Sequence, residues 1–410
     1  MAKLYPHKAA LSCPQSTDSW GRSSRAEISF QQLDEYSHWL ASIWEKKGLK
    51  KGDTVVVMIR PSFEFSAVVW SLLKKCLVPI FIDPGMGPKA LRKCLMKATP
   101  KGYIGEGRIL PLLISSPKLW SLRTFFVTRE KVFPGVVSLK SLWKEFLQGK
   151  RSSFDVEPAT TETLAAILFT SGGTGIPKGV EYTHGIFCEQ IHLLQQLFSL
   201  THTDRDMPGF PLFSLLTQCM GLTSSLPRLD PSAPARCHPD LLSEDLLGQH
   251  ITFAAGSPII WKRVGEWASN AGITFPSLKS LVMFGAPVEE SLLRLWQRLL
   301  PNGDTYTPYG ATECLPVALT SGQSILTAYG QRRLLFEQGD EHLKTHHFST
   351  CIGPVVPSLH LKIVTQENGS WRECLVEEMG EIVVSGPVCT QSYYQDEAAT
   401  HQAKIFFENK

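Results

Sequence analysis

Several things missing from this chain narrow its chemistry. Ten cysteines are present, but none forms a Cys-x-x-Cys pair and their spacings do not repeat. Reduced thiols fit that pattern better than a disulfide framework or a zinc site. No apolar run is long enough to cross a bilayer, and residues 1–13 carry no apolar signal core, so we expect no transmembrane segment and a cytoplasmic protein. Excess charge of one sign is also lacking. The net charge is only +3, and pairs such as Lys46-Lys47 and Lys50-Lys51 read as a solvated helix end, which argues against a nucleic-acid partner. There is no Gly-x-Ser-x-Gly elbow, which counts against a serine hydrolase, and no internal repeat or low-complexity tract.

What is present belongs to an ordinary globular protein, with 43% hydrophobic and 19% charged residues. A length of 410 residues exceeds one compact core, so two or three subdomains are expected. Ser29-Phe30-Gln31-Gln32 has the form of a capping box, and Leu33, Tyr36, Leu40, Ile43 and Trp44 share one helical face after it. Gly48 ends that helix, and Gly52-Asp53 turns into a strand over 54–59. A helix over 63–73 and a strand over 78–82 complete a βαβ unit on a parallel sheet.

Residues 149–162 read as a linker, followed by a strand, a glycine-rich loop and then a helix with Phe187, Ile191, Leu194 and Phe198 on one side. A strand over 281–284 and a helix over 291–300 follow. Residues 321–349 read as polar and irregular, and "LHLKIV" and "GEIVVSG" as strands of a smaller β-rich region. The expected division is 1–150, 160–350 and 351–410.

The chemistry concentrates in "LFTSGGTGIPKGVEYTHG", residues 168–185. Backbone N–H groups of Ser171, Gly172, Gly173, Thr174 and Gly175 can converge on an anion because their side chains are small or absent. Thr170, Ser171 and Thr174 add hydroxyls and Lys178 adds charge, which together suit an oligophosphate. This is not a Walker loop, because Pro177 precedes the lysine and no Ser or Thr follows it; a P-loop kinase or NTPase is disfavoured. A second stretch, "YTPYGATEC", sets Glu313 beside the hydroxyl of Thr312, a pairing that suits Mg²⁺ bridging phosphate oxygens. Tyr309 offers a flat face for a base or an acyl group.

Together these stretches resemble the adenylate-forming enzymes: acyl-CoA synthetases, luciferases and nonribosomal adenylation domains. "GLKKGDTVVVMI" is similar to the early core, "FTSGGTGIPKGVEYTH" to the phosphate loop, "FGAPV" to the adenine-pocket motif and "YGATE" to the metal and α-phosphate motif. "GEIVVSGPVCTQSYYQDEAAT" resembles the stretch before the ribose-binding site. "FIDPGMG", "FPLFSLLTQCMG" and "TPYGATECLPVA" are closest to the fatty-acyl ligase-like branch, which includes the β-lactone synthetases of olefin biosynthesis.

The resemblance implies an α/β fold, the large N-terminal domain of these enzymes. It would have two βαβ-type subdomains with stacked sheets and a small β-rich subdomain, and would lack the C-terminal lid domain. It assigns Thr170, Ser171, Gly172, Gly173, Thr174, Gly175 and Lys178 to the ATP phosphates, and Gly285, Ala286, Pro287, Tyr309, Gly310 and Ala311 to the adenine. Thr312 would touch the α-phosphate and Glu313 would hold Mg²⁺, so Lys178, Thr312 and Glu313 form the catalytic set. It implies ATP-dependent conversion of a long-chain fatty acid or β-hydroxy acid to acyl-AMP and pyrophosphate. The acyl group then passes to CoA, or closes on its own hydroxyl as a β-lactone. A truncated relative that binds nucleotide or acyl-adenylate without turnover, or that takes a separate C-terminal domain from another chain, is the competing expectation.

The chain departs from the family pattern in places. Ser214 replaces the histidine that many relatives carry after "PLF", and Ser392 replaces the usual glycine before "YY". The chain stops at Lys410, before the family's ribose-binding aspartate, and spacing gives neither Lys404 nor Lys410 the lid lysine's role. His342 with His346, and Cys237-His238 with Asp240, are too thin to read as metal pairs, and Cys314 has no base beside it to make it a nucleophile. Phe210, Phe213, Leu216 and Met220 read as core ahead of an acyl pocket.

Overall fold

The computed structural model describes residues 1–17, 23–107, 124–127, 136–152, 154–170, 177–337, 351–367 and 369–405. The chain divides into two compact units. One holds Met1–Lys8, Ile28–Gln190 and Leu361–Lys410, and the other holds Ala9–Glu27 and Ile191–His360.

A seven-stranded sheet forms the first unit, with Thr54–Met58 near its middle. On one side follow Gly102–Gly105, Thr124–Val127 and Val136–Ser138, and on the other Val78–Ile82, Leu164–Thr170 and Lys178–Thr183. All neighbours run parallel except the last pair. Val55, Val56, Val78 and Ile80 are buried, the near-continuous apolar run that a parallel strand covered on both faces requires.

The capping box forms as expected. Gln32 N–H donates to Ser29 Oγ at 3.1 Å, and Ser29 N–H donates back to Gln32 Oε1 at 3.0 Å. The helix Phe30–Lys46 that it starts buries Tyr36, Leu40 and Trp44, and the Trp44 ring meets Phe126 edge-on at 4.5 Å. A three-stranded sheet, His360–Glu367 between Ser370–Glu373 and Glu381–Ser385, accounts for the small β-rich region.

Three features differ from the sequence reading. Residues 149–162 do not separate two subdomains, because Leu164–Thr170 pairs with Val78–Ile82 in the same sheet. Lys75 pins that connection, donating to Glu45 and Glu157, each at 2.8 Å. The glycine loop leads into an antiparallel strand, Lys178–Thr183, before the helix His184–Phe198; the alternation of buried Val180 and Tyr182 with Glu181 and Thr183 is a strand period. The stretch after 321 is helical over Gly322–Glu337, where buried Ile325 and Leu326 and half-buried Tyr329 pack on the second unit's core.

The second unit carries an eight-stranded sheet. Its order is Cys314–Ser321, Asp304–Ala311, Ser280–Met283, Phe253–Gly256, Arg205–Pro208, Thr223–Ser225, Ala9–Thr17 and Ser23–Ser29. The N-terminal strands therefore belong with this sheet, not with a 1–150 subdomain. Arg25 ties them in, donating to Asp245 at 2.9 Å and to the carbonyls of Ser12 and Leu226 at 3.0 and 2.7 Å. One core cluster of this unit centres on Trp261, Trp296 and Phe275, with Trp296 Nε1 donating to the Trp261 carbonyl at 3.0 Å.

Asp206 is buried on the central strand Arg205–Pro208, where Ser224 Oγ donates to it at 2.5 Å and Thr217 Oγ1 lies 3.1 Å from Ser224 Oγ. Burial dominates over these hydroxyls and raises its carboxyl to about 7. Between about pH 4 and 7 the folded chain keeps a proton that the unfolded chain has released, so stability falls as pH rises through that window, by up to about 4 kcal/mol. Asp206→Asn should flatten this slope. Urea midpoints of both proteins at pH 5 and pH 8 check it; an equally steep fall in the variant would contradict the assignment to Asp206.

Candidate functional site

The first unit presents the phosphate motif on a β-hairpin. Leu164–Thr170 and Lys178–Thr183 pair antiparallel with Thr170 opposite Lys178, so both stand at the base of the loop that joins them. Ser171, Gly172, Gly173, Thr174 and Gly175, the centre of the expected anion nest, lie outside the described residues. Pro177 is buried and Lys178 half-buried. Gly179 permits the close pairing, since a Cβ there would meet Ile167 Cγ2 at 3.0 Å and the Phe169 ring at 3.1 Å. The Lys178 ammonium stands 5.1 Å from the centre of the Tyr393 ring.

The second unit presents the adenine and metal motifs at one edge of its sheet. Ser280–Met283 and Asp304–Ala311 are parallel neighbours, with Val282 opposite Tyr306, so their continuations leave the same edge of the sheet on adjacent strands. On the first, Gly285 has φ +88, and Gly285, Ala286 and Pro287 are exposed before Val288 turns inward. On the second, Tyr309 is 40% exposed, and Gly310 and Ala311 are exposed beside it. Gly310 is constrained: a Cβ would lie 2.7 Å from the Cys314 carbonyl. Ala311 pairs with Cys314, which makes Thr312 and Glu313 the two-residue turn of a hairpin, both half-buried. The carboxyl ends of parallel strands are where open α/β sheets bind ligands. Backbone bonds hold this edge together, from Gly209 N–H to Ala255 C=O at 2.6 Å and from Phe284 N–H to Gly256 C=O at 3.1 Å.

Among the described residues no group of three or more His, Cys, Asp or Glu could hold a metal ion by itself. Glu313 alone nevertheless fits Mg²⁺, which commonly takes one or two carboxylates and completes its shell with waters and substrate phosphates.

The lesser candidates resolve simply. His342, His346 and Lys410 lie outside the described residues. Cys237 and Cys314 are buried, and burial pushes the Cys237 thiol up, away from nucleophilic character. Lys404 donates to the Thr390 carbonyl. Ser214 is buried and donates to the Pro211 carbonyl at 2.6 Å, so it closes a turn. Leu216 and Met220 are core, as expected. Phe210 differs, being 45% exposed with its ring against Phe213, which in turn meets Phe284 edge-on at 5.1 Å. Tyr393 was not singled out from the sequence; its only signal there is an aromatic pair, Tyr393-Tyr394, inside a polar stretch.

The profile of the AMP-binding enzymes matches residues 1–394. An olefin beta-lactone synthetase of Xanthomonas campestris pv. campestris is 33% identical over 417 residues, covering 99% of this chain and 71% of the relative. A long-chain-fatty-acid–CoA ligase of Thermus thermophilus is 26% identical, covering 78% of this chain and 56% of the relative. In fold, a long-chain-fatty-acid–CoA ligase of Archaeoglobus fulgidus superposes with a TM-score of 0.77 at 20% identity, covering 99% of this chain and 77% of that one. O-succinylbenzoate coenzyme A synthetase of Bacillus subtilis, solved with AMP, gives 0.74 at 18% identity, covering 98% and 72%. The chain belongs to the AMP-binding enzyme family, and its α/β architecture is that of the large domain of adenylate-forming enzymes.

Proposed function

We propose that this protein uses ATP to adenylate a long-chain fatty acid or β-hydroxy acid, releasing pyrophosphate. The observation that carries this reading is the hairpin register that sets Lys178 opposite Thr170 at the mouth of a glycine and hydroxyl loop. A carboxylate attacking a triphosphate meets anion–anion repulsion, and charge builds on the departing oxygens. Fixed donors lower that cost because they need no reorganisation as the charge develops. Here Lys178, Thr170 and the N–H groups of 171–175 would hold the β- and γ-phosphates. Thr312 would donate to the α-phosphate, and Glu313 would hold Mg²⁺, which supplies charge neutralisation across the phosphates. Gly285, Ala286, Pro287, Gly310 and Ala311 leave room for a flat base, and the exposed face of Tyr309 can stack on it.

The aliphatic acid is favoured by the names of the relatives, an olefin beta-lactone synthetase and a long-chain-fatty-acid–CoA ligase. Two synthetases of the first kind, at 33% and 32% identity, favour a second reading in which the acyl-AMP closes on its own β-hydroxyl instead of passing to CoA.

Acid-dependent ATP–pyrophosphate exchange across short to long fatty and β-hydroxy acids tests the reading. Exchange should appear with long acids and fall on the order of 10²-fold in Lys178→Ala. Mg·ATP binding without exchange for any acid would replace it with a nucleotide-binding role. Glu313→Gln should raise the Mg²⁺ concentration needed for half-maximal exchange by at least about 10-fold; an unchanged Mg²⁺ requirement would remove Glu313 from the metal.

A further inference from the structure

The strand that carries Lys178 is covered along its outer edge. Residues 392–394 lie against it: Val180 and Tyr393 form an antiparallel bridge, and Tyr394 N–H donates to the Gly179 carbonyl at 2.7 Å. Glu181 N–H donates to the Ser392 carbonyl at 3.2 Å, and Ser392 Oγ donates to the Glu181 carboxylate. This added piece of strand brings the Tyr393 ring to Lys178, with the ammonium 5.1 Å from the ring centre, within the range of a cation–π contact.

The ring is itself held in place. Tyr393 is 9% exposed and packs with Ala166, Val180, Tyr182 and Ile186, and its N–H donates to Thr400 Oγ1 at 3.0 Å. Among the described residues no carboxylate makes a direct salt bridge to Lys178, although its charge acts on the Asp396 carboxylate from a greater distance. The carboxylate of Asp396, three residues beyond Tyr393, is instead engaged by Lys97 at 2.5 Å and by Ala399 N–H at 3.0 Å. Lys97 foremost holds that carboxyl below its ordinary range.

We propose that Tyr393 is a positioning residue for Lys178, its ring holding the ammonium at the mouth of the glycine loop and leaving its N–H donors for phosphate oxygens. A carboxylate in the same place would also restrain the lysine, but it would neutralise the charge and compete with the phosphates for its three donors. An aromatic face attracts the cation through its quadrupole and accepts no conventional hydrogen bond. The restraint acts on a long, flexible stem, so without the ring the lysine would sample positions away from the loop.

This role rests on the phosphate reading of Lys178, and the test separates the two. Binding of Mg·ATP and of AMP is measured by calorimetry on the full chain for the unaltered protein, Tyr393→Leu, Tyr393→Phe and Lys178→Ala, with a thermal melt of each. AMP lacks the β- and γ-phosphates assigned to Lys178, so it reports the integrity of the fold. Tyr393→Leu should weaken Mg·ATP about 3- to 10-fold and leave AMP unchanged, and Tyr393→Phe, which keeps the ring, should restore it. Equal Mg·ATP affinity in Tyr393→Leu would overturn the proposal. So would an equal loss for both nucleotides with a lowered melting temperature, which would make the ring merely structural. Unchanged Mg·ATP affinity in Lys178→Ala would remove the phosphate reading, and the positioning role with it.

Discussion

A positive charge beside an oligophosphate is useful only if it stands still, and in this chain a strand register decides where it stands. Lys178 faces Thr170 across the antiparallel pair, and Val180 and Tyr182 follow it on the same side of the strand, buried. A slip of one residue would turn all three to the opposite face. Gly179 disfavours that slip: a side chain in this position would press on Ile167 and Phe169 and force them to shift. The outer edge of the strand is then closed by residues 392–394, so the lysine's strand is paired on both sides. An edge covered in this way is also protected from pairing with another chain.

The second unit follows a different rule. The residues proposed to face its ligand stand toward the carboxyl ends of parallel neighbours, Gly285 to Pro287 beyond one strand and Tyr309 to Glu313 on the hairpin that the other enters. Gly285 and Gly310 mark these ends for distinct reasons. Gly285 adopts a left-handed backbone, whereas Gly310 lets the turn at Thr312 and Glu313 fold back until its Cα nears the Cys314 carbonyl. The rigidity behind that edge is apolar, supplied by Trp261, Trp296 and their neighbours, with Asp206 the one carboxyl buried on the central strand Arg205–Pro208. Keeping Asp206 protonated is cheaper than burying its charge, which makes the second unit's stability fall as pH rises between about 4 and 7.

Local signals in the sequence carried the elements but not their grouping. Ser29 to Gln32 announced a helix because a capping box is satisfied within four residues, and strand Val78–Ile82 was readable because both its faces are buried. The chain's division was not readable. Strands Ala9–Thr17 and Leu164–Thr170 each pair on one side with a strand far away in sequence, Thr223–Ser225 and Val78–Ile82, and no local pattern records that partner. Helix Gly322–Glu337 was missed for a related reason: glycines and polar residues, Gly322, Gln323, Ser324, Gly330 and Gln331, flank the short run that holds Ile325, Leu326 and Tyr329 and blur its period. The site residues stood out because glycine, hydroxyl and lysine are conspicuous when clustered. Tyr393 did not, because its importance comes from a bridge to a strand more than two hundred residues earlier.

The central claim is that the acid's own oxygen attacks the α-phosphorus of ATP. It is tested most directly by following that oxygen. The full chain would be incubated with Mg·ATP, a long-chain acid labelled with oxygen-18 in its carboxylate, and hydroxylamine to capture the activated acyl group. Adenylation requires one labelled oxygen to leave with AMP, with unlabelled pyrophosphate as the co-product. Label in orthophosphate, or hydroxamate formed with unlabelled AMP, would contradict the account.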